Sequence, residues 1–195
     1  MSTTTSTQGL TATGVPKMPL LITILRGAAL LLSLGVLIAA AYHLSLLGAW
    51  AQYYGGSGPA GFLIFDAIFT FLVLGSMLAA EFFAPHLYMR PLFLGALVLA
   101  AIFWLSAWAW AASWASEIYR VYDRSGLGRA NGFDAWGASL AAGAGLGAGV
   151  WVLIIVIIVF FVRACMADPH GSSFSPRPQN DVEAGQPKPE GPTYA

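Results

Sequence analysis

Four long stretches of the chain, 20–42, 62–83, 92–115 and 136–161, are almost free of charged residues. None alternates apolar with polar positions as a strand with one wet face does, and each reaches the about 20 residues a helix needs to cross ~30 Å of hydrocarbon. Because a helix satisfies its own backbone polar groups in lipid, the pattern predicts an all-α membrane protein, a four-transmembrane-helix bundle over 20–165. The flanks differ sharply. Residues 1–19 are rich in Ser, Thr and Gly, and 166–195 carry Pro169, Pro176, Pro178, Pro187, Pro189 and Pro192 among polar residues, so both read as disordered tails. Lys17 is the sole basic residue of 1–19, and no early apolar stretch follows a charged start as in a cleaved signal; the first span is expected to stay as an anchor. Ser172, Ser173 and Ser175 make the tail a candidate for phosphorylation.

Composition strengthens this picture. Of 195 residues 57% are hydrophobic and 9% charged, where a soluble domain has about 25% charged. Lys plus Arg equals Asp plus Glu at nine each, which points away from nucleic acid and toward lipid and other membrane proteins as partners. Four spans put both termini on one side. With the termini inside, Lys17, Arg26, Arg90, Arg163, Arg177 and Lys188 face the cytoplasm and only Arg120, Arg124 and Arg129 face out. The positive-inside rule therefore predicts cytoplasmic termini.

The stretch "FWLSAWAWAASWA" holds Trp104, Trp108, Trp110 and Trp114. At about 100° per residue they occupy one half of a helix, and Ser106, Ala109, Ser113 and Ser116 form a thin seam on the other. The fourth span answers with "GASLAAGAGLGAGVW", in which Gly143 and Gly147, and Gly145 and Gly149, make two GxxxG stripes, and Ser139 lies one turn before. Its second half, "VLIIVIIVFFV", is bulky. Antiparallel spans bring the tryptophans level with the glycines. Two packings follow: thin seam against thin stripe with the indoles at the lipid boundary, or indoles filling the volume the glycines leave. An aromatic belt at the membrane interface accounts for Trp110 and Trp114 but reaches Trp104 poorly, ~15 Å deeper than Trp114.

Charges inside spans are functional candidates by default. Arg26 and Glu81 fall at similar depth on neighbouring spans and are expected to pair. Asp66, near the outer end of the second span, is within reach of His43, Arg120 or water. The three histidines lie apart, and the sequence has no HExxH and no GxSxG. No catalytic residues, metal ligands or cofactor site are therefore expected, and the chain reads as no enzyme. A single cysteine, Cys165, excludes an internal disulfide and, at the end of the fourth span, is a candidate for reversible palmitoylation. Arg90, Phe93 and Leu97 fit a loose cholesterol-type pattern.

The tetraspan layout, the short inner turn "APHLYMRP", the Trp-centred third span and the small-residue start of the fourth before "VWVLIIVIIVFFVRAC" together resemble fungal MARVEL-domain proteins over about 20–165. The resemblance implies no catalytic residues. It implies association with ordered, sterol-rich membrane, membrane apposition, and organisation of vesicle or plasma-membrane domains; the small-residue helix faces add homo-oligomers or other membrane proteins as expected partners. The alternative, from another class, is a small oligomeric channel or transporter subunit lined by Asp66 and Glu81.

Overall fold

The computed structural model describes residues 9–16, 18–47, 57–125 and 133–168. Four helices run up and down: α1, Leu20–Leu47; α2, Ser57–Phe83; α3, Arg90–Ser125; and α4, Phe133–Ala167. A 3-10 turn, Pro85–Leu87, joins α2 to α3. All four helices are long and apolar enough to cross a membrane, and the protein is an all-α, multi-pass membrane protein. Only 28% to 39% of each span's most apolar window is buried. The outward surface is itself apolar, with Leu31, Leu72, Ile102 and Val152 among its exposed side chains, and that surface is stable against lipid rather than water.

The helices outrun the stretches read from hydropathy. α3 continues past 115 to Ser125 and α4 starts at Phe133 rather than 136. Hydropathy measures the apolar part, whereas the backbone ladder continues into polar residues such as Glu117 and Arg120, which pair at 3.0 Å one turn apart. Much of the connection between the apolar stretches 92–115 and 136–161 is therefore helix. Prolines stand where a missing N–H does no harm, Pro59 in the first turn of α2 and Pro91 in that of α3.

α4 makes the closest interfaces, with α1 on one side and α3 on the other, and barely touches α2 across the bundle. Two core clusters follow the thin and bulky halves of α4. Toward the end that carries the two inter-span loops, the core is Ala40, Ala60, Leu63, Trp104, Ala107, Ala111, Leu140 and Ala144. Toward the end that carries the chain termini it is Leu74, Met77, Tyr88, Phe93, Leu97, Ile157, Phe161 and Cys165.

Residues 9–16 differ from the expectation of a disordered N-terminal tail. Gly9 and Pro16 are buried, and Leu10, Val15 and Met18 pack against the terminal-end core. Gly14, at φ 101°, takes the left-handed turn that lets its N–H reach the Tyr88 carbonyl at 2.9 Å. Residues 1–8 and the proline-rich stretch 169–195, with its serines, lie outside the described residues.

Candidate functional site

The loop-end half of the bundle is built around one indole. Trp104 is 0% exposed and its Nε1–H donates to Thr70 Oγ1 of α2 at 2.7 Å. A Cβ on Gly147 would stand 3.1 Å from Trp104 Cζ3 and 3.3 Å from Trp108 Cβ, so the indoles occupy the volume that glycine leaves. Gly143 does the same for Leu63, at 3.2 Å, and Gly149 lies against Leu32, at 3.5 Å. Of the two packings the sequence allowed, the structure adopts indole into glycine.

Several candidate residues consequently sit elsewhere than expected. Ser106, Ala109 and Ser113 are not a seam between helices of this chain; they face outward, because the bulky side of α3 has turned in. Their hydroxyls fold back, Ser106 onto the Ile102 carbonyl at 3.0 Å and Ser113 onto Trp110 at 2.7 Å. Gly145 also faces outward with nothing within 4 Å of its would-be Cβ. Trp104 is not a lipid-boundary residue. Trp108 is half-buried beside Trp151, ring centroids 6.2 Å apart, and its indole nitrogen is buried. Trp114 is half-buried against the loop-end core. Trp110, 45% exposed, faces lipid while covering Gly58.

Ser139 is buried, as a packing residue should be, but for a reason hydropathy does not reveal. The Nδ1–H of His43 donates to the Trp136 carbonyl at 2.9 Å, the Ser139 hydroxyl donates to the same oxygen at 2.9 Å, and the His43 ring stacks on Trp136 at 5.2 Å. A carbonyl only accepts, so the Nδ1 proton is required for this contact. The arrangement ties the end of α1 to the start of α4.

The intramembrane charges divide. Arg26, fully buried, donates to Glu81 and, at 3.4 Å, to Met18 Sδ. Tyr88 lies beside this pair; burial pushes its phenol above the usual range, and the neighbouring Arg26 only partly opposes that. Asp66 is 1% exposed, and no group of the described chain hydrogen-bonds either carboxylate oxygen.

Arg90 is the residue whose role sequence reasoning missed. Its Nε–H donates to the Gly14 carbonyl at 2.9 Å, NH1 to the Gly9 and Asp168 carbonyls at 2.9 and 2.7 Å, and NH2 to the Asp168 carboxylate at 3.2 Å. One guanidinium thus gathers the N-terminal segment, the start of α3 and the end of α4. Arg90, Phe93 and Leu97 all point into the core, which removes the cholesterol-type reading, since a lipid must reach the residues it binds. Cys165 is likewise 0% exposed inside the terminal-end core. Acylation needs a reachable thiol, so the palmitoylation reading fails at this position.

Among the described residues no three His, Cys, Asp or Glu side chains come together as a metal site. Compared with protein-family models, curated proteins and solved structures, the chain gives no match.

Proposed function

We propose that this protein is a non-enzymatic, MARVEL-like membrane organiser, acting through helix association between copies and through lipid contact in the plasma membrane or vesicular endomembrane. The observation that carries the reading is the outward placement of the thin faces. Ser106, Ala109, Ala112, Ser113 and Ser116 are exposed along α3, and Ala138, Ala141, Ala142 and Gly145 along α4. In lipid, helices associate by close backbone approach rather than by expulsion of water, and small residues permit that approach. The hydroxyls on the α3 stripe are already bonded to their own helix, so a second helix meets a surface with no polar demand of its own. The apolar surface between the stripes supplies lipid contact, with sterol among the candidate lipids.

Orientation follows from charge. Arg26, Arg90 and Arg163 lie toward the terminal end and Arg120 and Arg124 toward the loop end, which supports cytoplasmic termini. The pore alternative has less support, because Glu81 is paired with Arg26 and Asp66 is buried within a single bundle rather than on a surface that copies could share.

Native mass spectrometry of the protein released mildly from its own membranes tests the reading. Defined oligomers that retain lipid, and that fall to monomers in the Ala109→Leu/Ser113→Leu double variant, are the expected result. A monomer throughout, or an oligomer distribution unmoved by the double variant, would remove self-association through α3.

A further inference from the structure

The connection between α2 and α3, 84–89, does not have the surface of a turn in water. Phe82, Phe83, Leu87 and Met89 are 71%, 87%, 61% and 48% exposed, and the polar side chain that faces out among them is His86. The charges flanking the turn point inward. Glu81 is taken by Arg26, and Arg90 by the carbonyls of Gly9 and Gly14 and by Asp168.

The backbone of the turn is provided for as well. The N–H groups of Ala84 and Leu87 donate to the Ala80 and Ala84 carbonyls at 3.2 and 2.9 Å, and the Tyr88 carbonyl accepts from Gly14 at 2.9 Å. Met89 forms an isolated antiparallel bridge with Thr13. Irregular backbone whose polar groups are met by protein can lie against lipid, where backbone that relies on water cannot. The apolar surface also continues past the Arg26–Glu81 pair on α1, where Leu20 is 76% exposed.

The rest of the chain has little to cover these side chains with. Residues 1–8 contain one large apolar side chain, Met1, and 169–195 contain Phe174, Val182 and Tyr194 scattered among prolines and polar residues. A second copy fits poorly, because helix association in lipid depends on small residues and four large side chains at a chain reversal hold backbones apart. The boundary between headgroups and acyl chains fits well, since Phe and Leu on an amphipathic surface bury there to ~5–10 Å.

We propose that the turn between α2 and α3 is an interfacial anchor: Phe82, Phe83, Leu87 and Met89 enter the headgroup–acyl boundary of the leaflet at the terminal end, with lipid as their partner. This connection then lies within the bilayer surface, whereas at the loop end α3 carries Glu117, Arg120 and Arg124 out on a helical extension. The anchor stands whether or not copies associate.

The test places nitroxide labels at Phe83→Cys and Leu87→Cys of the full chain, in a Cys165→Ala background and in phosphatidylcholine nanodiscs. Collision rates with oxygen and with a water-soluble nickel chelate are compared with those at Leu31→Cys, on the lipid-facing side of α1, and Arg124→Cys, at the loop end. The expected oxygen-to-nickel ratio at 83 and 87 is several-fold above that at 124. A ratio equal to that at 124 puts the turn in water and overturns the anchor. Collision rates with both reagents several-fold below those at 31 mean that protein covers the turn, which overturns it too. If the labelled variants do not fold, the unmutated chain decides. Irradiated with phosphatidylcholine carrying a diazirine near the ester end of its acyl chain, it should crosslink within 82–89, and crosslinks confined to the spans would refute the proposal.

Discussion

Thr70 is a buried threonine in the middle of α2, and its partner Trp104 is the largest side chain fully enclosed by the bundle. Replacing Thr70 by Val keeps the volume and removes the acceptor, leaving a buried indole N–H with nothing to bond. Hydrogen bonds between membrane helices contribute on average about 0.6 kcal/mol and up to about 1.7, and an orphaned buried donor adds desolvation cost. Thr70→Val should therefore lower stability by about 1–2 kcal/mol, read from reversible unfolding in mixed micelles, and should shift the near-ultraviolet signal of Trp104. Unchanged stability would mean that indole shape rather than the hydrogen bond holds the layer. The pair was hard to see in the sequence because a single Thr inside an apolar stretch has no partner marked by spacing. Arg26 and Glu81 were easier, since residue number converts to depth at 1.5 Å per residue and opposite charges at one depth on adjacent helices have few other ways to be satisfied.

At the scale of the element, the two glycine stripes of α4 are alike in sequence and unlike in place. Gly147 is roofed by Trp104 and Trp108, whereas Gly145, two residues away and on nearly the opposite side, meets nothing. Gly147→Leu should drive its side chain into two indoles and cost several kcal/mol, since overpacking by even a few methylenes costs about 1–3 kcal/mol; loss of the folded species in size-exclusion chromatography and thermal scans reports it. Gly145→Leu should leave the fold of the single chain intact, since nothing in the bundle meets its side chain. Equal damage from both would mean that Gly145 is covered as closely as Gly147, and so that the outward face of α4 is itself packed against a second helix. The thin and bulky halves of α4 were legible from composition alone, and so was the matching depth of the tryptophans. Which face of α3 turned inward was not, because small seam against small stripe and indole into glycine satisfy the same pattern. The Thr70 acceptor and the shape of Trp104 favour the second.

For the whole molecule, four spans and their antiparallel order were legible because hydropathy counts residues against a membrane of known thickness. What closes the terminal end was not. Arg90 was visible as one basic residue among those favouring the inside and as part of a loose cholesterol-type pattern, but not as a clamp, since three of its four acceptors are backbone carbonyls, of Gly9, Gly14 and Asp168, and carbonyls leave no trace in a sequence. A planar guanidinium with donors on every edge can hold three chain segments at once, which a lysine ammonium does less well. Arg90→Ala should release 9–16 from the bundle while the spans, whose apolar contacts lie elsewhere, remain folded. Limited proteolysis of the full chain in nanodiscs should then cleave within 9–16 at least several-fold faster than in the unmutated protein, with the span fragments intact, and Arg90→Lys should fall between the two. Cleavage at the unmutated rate would show that Leu10, Val15 and Met18 hold the segment by apolar packing alone. General digestion of the spans would show instead that the clamp stabilises the whole terminal end, as its contact with Asp168 at the close of α4 would allow.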